Sequence, residues 1–127
     1  MAEYIGPLTI ENGNFSDLQI LSKLTQLQTL TITGAPVGTQ DLAVIATLPG
    51  LTRLTLSNCS LSSIKNLSGA QQLTYLDLSN NAIKELNALS FISSLDTLNL
   101  SHNAIVNLSA LSALKSLRVL DVSYNSL

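Results

Sequence analysis

A histidine, an aspartate and nearby serines are the raw material of acyl-transfer chemistry. This chain holds His102, its sole histidine, with Asp121, Ser79 and Ser123 at related places in a recurring phrase. Such a set hydrolyses when the imidazole takes the serine proton, the carboxylate orients the imidazole, and backbone donors receive the oxyanion. A second set, Asp77, Asn99 and Asp121, recurs at steps of 22 residues and offers oxygens to a cation. A third candidate is Cys59, the only cysteine, which allows no internal disulfide and attacks only as a thiolate.

Whether any of these can act depends on the elements that position them. The stretch YLDLSNNAIKEL, Tyr75 to Leu86, spaces its apolar residues by two (Leu76, Leu78), breaks at Asn80 and Asn81, then spaces them by three (Ile83, Leu86). Neither a helix nor a half-buried strand has that rhythm throughout, so the structure must change partway along. The phrase itself repeats: LTRLTLSNCSL, LTYLDLSNNAI, LDTLNLSHNAI and LRVLDVSYNSL begin at Leu51, Leu73, Leu95 and Leu117, and weaker copies begin at Ile5 and Leu27. Six copies cover nearly the whole chain, 1–127, as one domain, with the last copy stopping at Leu127 without its second half.

Apolar residues occupy positions 1, 4, 6, 11, 14, 17 and 20 of each copy. Positions 4 and 6 read as a short strand with both side chains on one face. The later spacing of three reads as a tight return with three residues per turn, 3₁₀ or polyproline II. Position 9 is the corner, held by Asn81, Asn103 and Asn125, with Cys59 in the third copy. A buried amide there can bond the backbone that the bend leaves unpaired. Stacked turns share one core that no single turn could bury. The second copy departs from the pattern with Ala35 and Pro36 at its corner and two extra residues. Thr39 or Asp41 is expected to cap a true helix running through Leu42 to Leu48, ended by Pro49 and Gly50.

On these motifs the chain resembles the leucine-rich repeat family over essentially all of its length, in the class shared by bacterial internalins and the leucine-rich phosphatase regulators. The resemblance implies an α/β solenoid of about six repeats: a right-handed coil with a concave parallel β-sheet and convex 3₁₀ or short-helix segments. It also makes the serines of position 7 (Ser57, Ser79, Ser101, Ser123) and the corner residues structural. Cys59 is then a frequent substitute at the corner, a buried and inert thiol.

In such a coil, positions 3, 5, 7 and 8 form columns on the exposed face. The N-terminal half places mostly threonine there, whereas the C-terminal half gathers Arg53, Tyr75, Asp77, Asn99, His102, Asp121 and Tyr124, the varied side chains of recognition surfaces. The expected partner is a protein or peptide on this face. The bland alternative is an ordinary solvated sheet. An open sheet offers neither pocket nor oxyanion hole, and no nucleophile-elbow motif occurs, so no enzymatic activity is expected. The two aspartates start from strands about 9.6 Å apart, too far to share a cation at ~2.3–2.6 Å without bridging groups, so neither metal nor cofactor is expected.

Composition agrees. The 127 residues include 27 leucines and no tryptophan, and only 11% are charged. A net charge of -2 without clustered Lys or Arg argues against nucleic acid. No apolar run approaches the ~18 residues of a membrane span, and the N-terminus lacks the pattern of a signal peptide. Asn-x-Ser sequons at Asn14, Asn58, Asn66, Asn99 and Asn107 are expected by chance in a repeat rich in these residues. The Ser, Thr and Asn-rich exterior suits an extracellular or cell-surface setting resembling the internalins, with a cytoplasmic scaffold as the alternative. An uncovered edge at Leu117 to Val122 further suggests self-association.

Overall fold

The computed structural model describes residues 6–13 and 18–127. The start of the first copy at Ile5 and the sequon at Asn14 lie outside them. Six strands, β1 (Leu8–Glu11), β2 (Thr29–Thr33), β3 (Arg53–Ser57), β4 (Tyr75–Asp77), β5 (Thr97–Asn99) and β6 (Val119–Asp121), make one sheet in chain order, every pair parallel. The register is that of the repeat: Leu54 pairs with Leu76, Leu76 with Leu98 and Leu98 with Leu120, while Thr29 pairs with Arg53 across the longer second copy. The strands of β4 to β6 cover positions 3 to 5 rather than 4 to 6. Position 6 still donates its N–H to the next turn, as Leu78 does to Asn99 at 2.8 Å, and the position-7 N–H is the one that leaves the ladder.

The returns are 3₁₀ segments at Gln19–Lys23, Lys65–Leu67, Asn87–Phe91 and Ser109–Ala113, each beginning at position 15. A period of three puts positions 14, 17 and 20 on one edge, which is why 3₁₀ rather than α-helix suits the spacing. The second copy is the exception. Its two extra residues allow a true helix, α1 (Thr39–Ala46), with Leu42 and Ile45 buried. Thr39 is the first helical residue and not the cap. Gly38 is the cap, and its N–H donates to Asp41 Oδ2 at 3.0 Å. The helix also ends earlier than Leu48, because Leu48 N–H already reaches only three residues back, to Ile45.

Each apolar position forms its own buried column. Leu30, Leu54, Leu76 and Leu98 stack beneath the sheet, as do Ile32, Leu56, Leu78 and Leu100, and Leu67 and Leu89 close the core from the return side. They form one continuous cluster, so the sheet rests on a packed wall with little room to move. No helix among the described residues is long and apolar enough to cross a membrane.

Candidate functional site: the exposed sheet face and its corner

The corner comes first, because it sets the direction of everything on the face. Asn81 Oδ1 accepts from the N–H groups of Cys59 and Leu61, both at 3.0 Å, and its Nδ2 donates to the carbonyls of Leu56, Leu78 and Ser79. Asn103 ties Ile83 N–H to the carbonyls of Leu78, Leu100 and Ser101, and Asn125 repeats the pattern with Ile105, Leu100, Val122 and Ser123. These asparagines are half-buried rather than fully enclosed. Each amide bonds its own turn and the preceding one.

Cys59 holds the corner where the third turn meets the second, with its thiol against the carbonyls of Ile32 and Ser57 at 3.2 and 3.4 Å. Burial pushes its pKa up to about 11, which a backbone hydrogen bond to Ala35 only partly offsets. A raised acid pKa stabilises the fold below the unfolded thiol's value, and that contribution is lost as pH climbs toward the folded one. Chemical denaturation at pH 8 and pH 10.5 is expected to show wild type losing about 2 kcal/mol more than Cys59→Ala. Equal losses in both proteins would count against a buried neutral thiol.

Position 8 is not a strand residue. Asn12, Gly34, Asn58, Asn80, His102 and Tyr124 all lie in the left-handed region, with φ between 50° and 66°. This reversal lets each position-8 N–H, from Asn12 to His102, reach the position-7 carbonyl of the next turn, as in Asn80 to Ser101 at 3.0 Å. Asparagine and glycine tolerate that backbone, and the Asn and Gly content of the column was the available signal for it. Gly34 is further confined, because a Cβ would lie 2.5 Å from Asn12 Oδ1. Gly34→Val is expected to lower unfolding free energy by about 2 kcal/mol in urea titrations, and Gly34→Asn by less, since asparagine removes the backbone part of the penalty.

His102 and Tyr124 occupy this backbone without the help that asparagine and glycine bring, at about 1–2 kcal/mol each. Their rings stack with centroids 4.3 Å apart and planes 10° from parallel, a contact that returns part of that cost. Tyr124 is 74% exposed. A second platform stands at position 3, where the Arg53 guanidinium lies 4.1 Å above the Tyr75 ring centroid.

Column 5 runs between the platforms. Asp77, Asn99 and Asp121 each accept, through Oδ1, the N–H of the serine two residues on, at 2.9, 3.0 and 2.9 Å. The side chain thereby takes the position-7 donor that a longer strand would offer its neighbour. β4 to β6 accordingly stop at three residues, whereas β2 and β3, with threonine at position 5, run to five. Ser123 Oγ also donates to Asp121 at 2.6 Å. Those two bonds, with a smaller pull from His102, hold the Asp121 carboxyl below its ordinary value.

The serines of position 7 do not all face outward. Ser79 and Ser101 are buried at 6% and 7% exposure, and Ser57 and Ser79 pair through their hydroxyls at 3.1 Å. The candidate hydrolytic set is therefore not aligned for acyl transfer: Asp121 bonds Ser123 directly, and His102 is stacked on Tyr124 instead of lying between them. Among the described residues no three His, Cys, Asp or Glu side chains gather as a metal site.

A coil of strand, corner and 3₁₀ return, with six turns in one parallel sheet, defines a solenoid repeat protein. The leucine rich repeat family pattern matches residues 49–105 and 71–127, and the chain belongs to the leucine-rich repeat family. Among solved structures it is similar to internalin C2 of Listeria monocytogenes, with 26% identity and a TM-score of 0.82 over 91% of this chain and 52% of that one. Internalin InlF of the same organism is 29% identical with a TM-score of 0.64, covering 91% of this chain and 42% of the other. TLR13, solved in complex with ssRNA13, is 27% identical with a TM-score of 0.69 over 83% and 16%. The chain thus spans about half, or less, of the structures it matches. No curated relative matches the chain.

Proposed function

We propose that residues 1–127 act as one non-catalytic repeat domain that takes a protein or peptide partner on the C-terminal half of its exposed sheet face. The carrying observation is the pair of ring platforms on that half, Arg53 on Tyr75 and His102 on Tyr124. Rigid aromatic and arginine groups lose little freedom on binding and dominate recognition energies. Backbone strain held at His102 and Tyr124, where asparagine would sit more easily, fits a selected surface better than an idle one. The setting we favour is a bacterial surface protein resembling the internalins, on the strength of the two Listeria structures. A cytoplasmic scaffold is the alternative.

The test is a random peptide library displayed on phage and selected against the immobilised chain. Selected peptides are expected to lose roughly tenfold or more in affinity against Tyr75→Ala or Tyr124→Ala and to keep it against Phe91→Ala, an exposed residue of a return segment. Failure to select any binder, or binders sensitive only to Phe91→Ala, overturns the reading.

A second reading is favoured by β6, the outer strand of the sheet, where Val119 and Leu120 are 55% and 41% exposed. Such an edge pairs readily with a further strand. Assembly through it predicts a mass above 13.5 kDa that rises with concentration in light scattering and falls back in Leu120→Lys. A constant 13.5 kDa counts against it.

A further inference from the structure

We propose that the segment bound on this face is a basic polyproline II peptide carrying Lys or Arg at residues i and i+3, laid across strands β4 to β6. The inference rests on the binding reading above and names the chemistry of its partner.

Three features of the face carry it. Asp77 and Asp121 stand in one column two strands apart, about 9.6 Å at ordinary strand spacing. Asn99 lies between them, so each charge stands apart from the other. All three side chains are held through Oδ1 by their own turn, and each aspartate is left with Oδ2, whose direction is already set. A charge fixed before binding loses little freedom when a cation arrives.

The spacing selects the ligand's backbone. Polyproline II has three residues per turn and rises about 3.1 Å per residue, so i and i+3 project alike at about 9.3 Å. An extended strand brings like-facing residues to roughly 6.7 or 13 Å, neither of which spans the two carboxylates. A helix reaches about 10.5 Å only at i+7, and its ~10–12 Å girth holds most of the ligand off the flat face.

The ring platforms supply the rest. Tyr75 with Arg53 lies at position 3 on the β4 side, and His102 with Tyr124 at position 8 past β5 and β6, so the position-5 column has one aromatic group beside it at each strand. Aromatic groups beside the column suit proline rings, and polyproline II is ordered before it binds. Arg53 limits the basic residues to two on this face, because a third at the β3 end would meet like charge. An RNA strand could also stack on these rings, but its phosphates would face Asp77 and Asp121, which disfavours it.

The experiment uses fluorescence anisotropy at low salt with defined probes: a labelled proline peptide with lysines at i and i+3, one of equal composition with lysines at i and i+2, and a labelled single-stranded oligoribonucleotide. The i+3 peptide is expected to bind roughly tenfold more tightly than the i+2 peptide, and to weaken about three- to tenfold against Asp77→Asn and against Asp121→Asn. Asparagine is the apt replacement, since Asn99 already makes the same turn bond at β5. Equal urea stability of these variants and unchanged binding to Phe91→Ala complete the expected result. Equal affinity for both spacings, indifference to the two Asn variants, or preference for the oligoribonucleotide overturns the proposal. If the proline probes fail while library peptides still depend on Tyr75 and Tyr124, the ligand chemistry is wrong and the binding face stands. If both fail, the face is wrong as well.

Discussion

Asn81→Leu is expected to cost about 3–5 kcal/mol of unfolding free energy, while Asn80→Gly, one residue away, costs under ~1 kcal/mol. The two asparagines look alike in the sequence but do different work. Asn80 supplies a left-handed backbone that glycine adopts without strain. Among the described residues Asn81 is the only side chain bonded to the N–H groups of Cys59 and Leu61, and it also satisfies three carbonyls. Leucine fills the space but leaves these groups at a part-buried bend with nothing to bond, and an orphaned buried polar group costs ~1–3 kcal/mol. Urea titration of both variants, with amide exchange at Cys59 and Leu61, checks the contrast. Similar losses at 80 and 81 would mean that the corner amide is not what joins the turns.

Leu76→Ala is the second large effect, at about 3–5 kcal/mol, because a fully buried side chain leaves a cavity between two packed turns. Leu120 holds the same position in β6 but is 41% exposed, so Leu120→Ala should cost under ~1.5 kcal/mol. The difference has a further signature. Repeat stability is a sum of turn and nearest-neighbour interface terms, so damage at the middle weakens the joint between the two halves. Leu76→Ala is expected to broaden the urea transition or split it in two, with exchange rising first around β4. A single sharp transition in Leu76→Ala, merely shifted, would show that the coil unfolds as one unit regardless of where it is weakened.

Much of this fold is legible in the sequence because a repeat states its register six times. Leu54, Leu76, Leu98 and Leu120 align in the sequence by phrase and in the sheet by hydrogen bonding. The face is less legible, since a strand's side chains alternate but its end does not announce itself. Asp77, Asn99 and Asp121 read as possible ligands, yet each first serves its own backbone and ends its strand. Ser79 and Ser101 read as outward, yet they lie past the strand and are buried. At position 8, Asn12, Gly34, Asn58 and Asn80 carried the mark of left-handed backbone, while His102 and Tyr124 obscured it. The ring contacts, Arg53 on Tyr75 and His102 on Tyr124, depend on rotamers that one-dimensional spacing does not specify.

The helix α1 separates two kinds of change. Its two extra residues are absorbed on the outer wall, and Thr29 still faces Arg53 across the sheet without a slip. The outer wall can therefore be lengthened, shortened or rebuilt while the lettering on the inner face keeps its line spacing. Conversely, inserting one whole 22-residue turn would extend the inner face by a single step of about 4.8 Å. The molecule is in this sense a ruler whose graduations are independent of its backing, and the reach of its surface is set by counting turns.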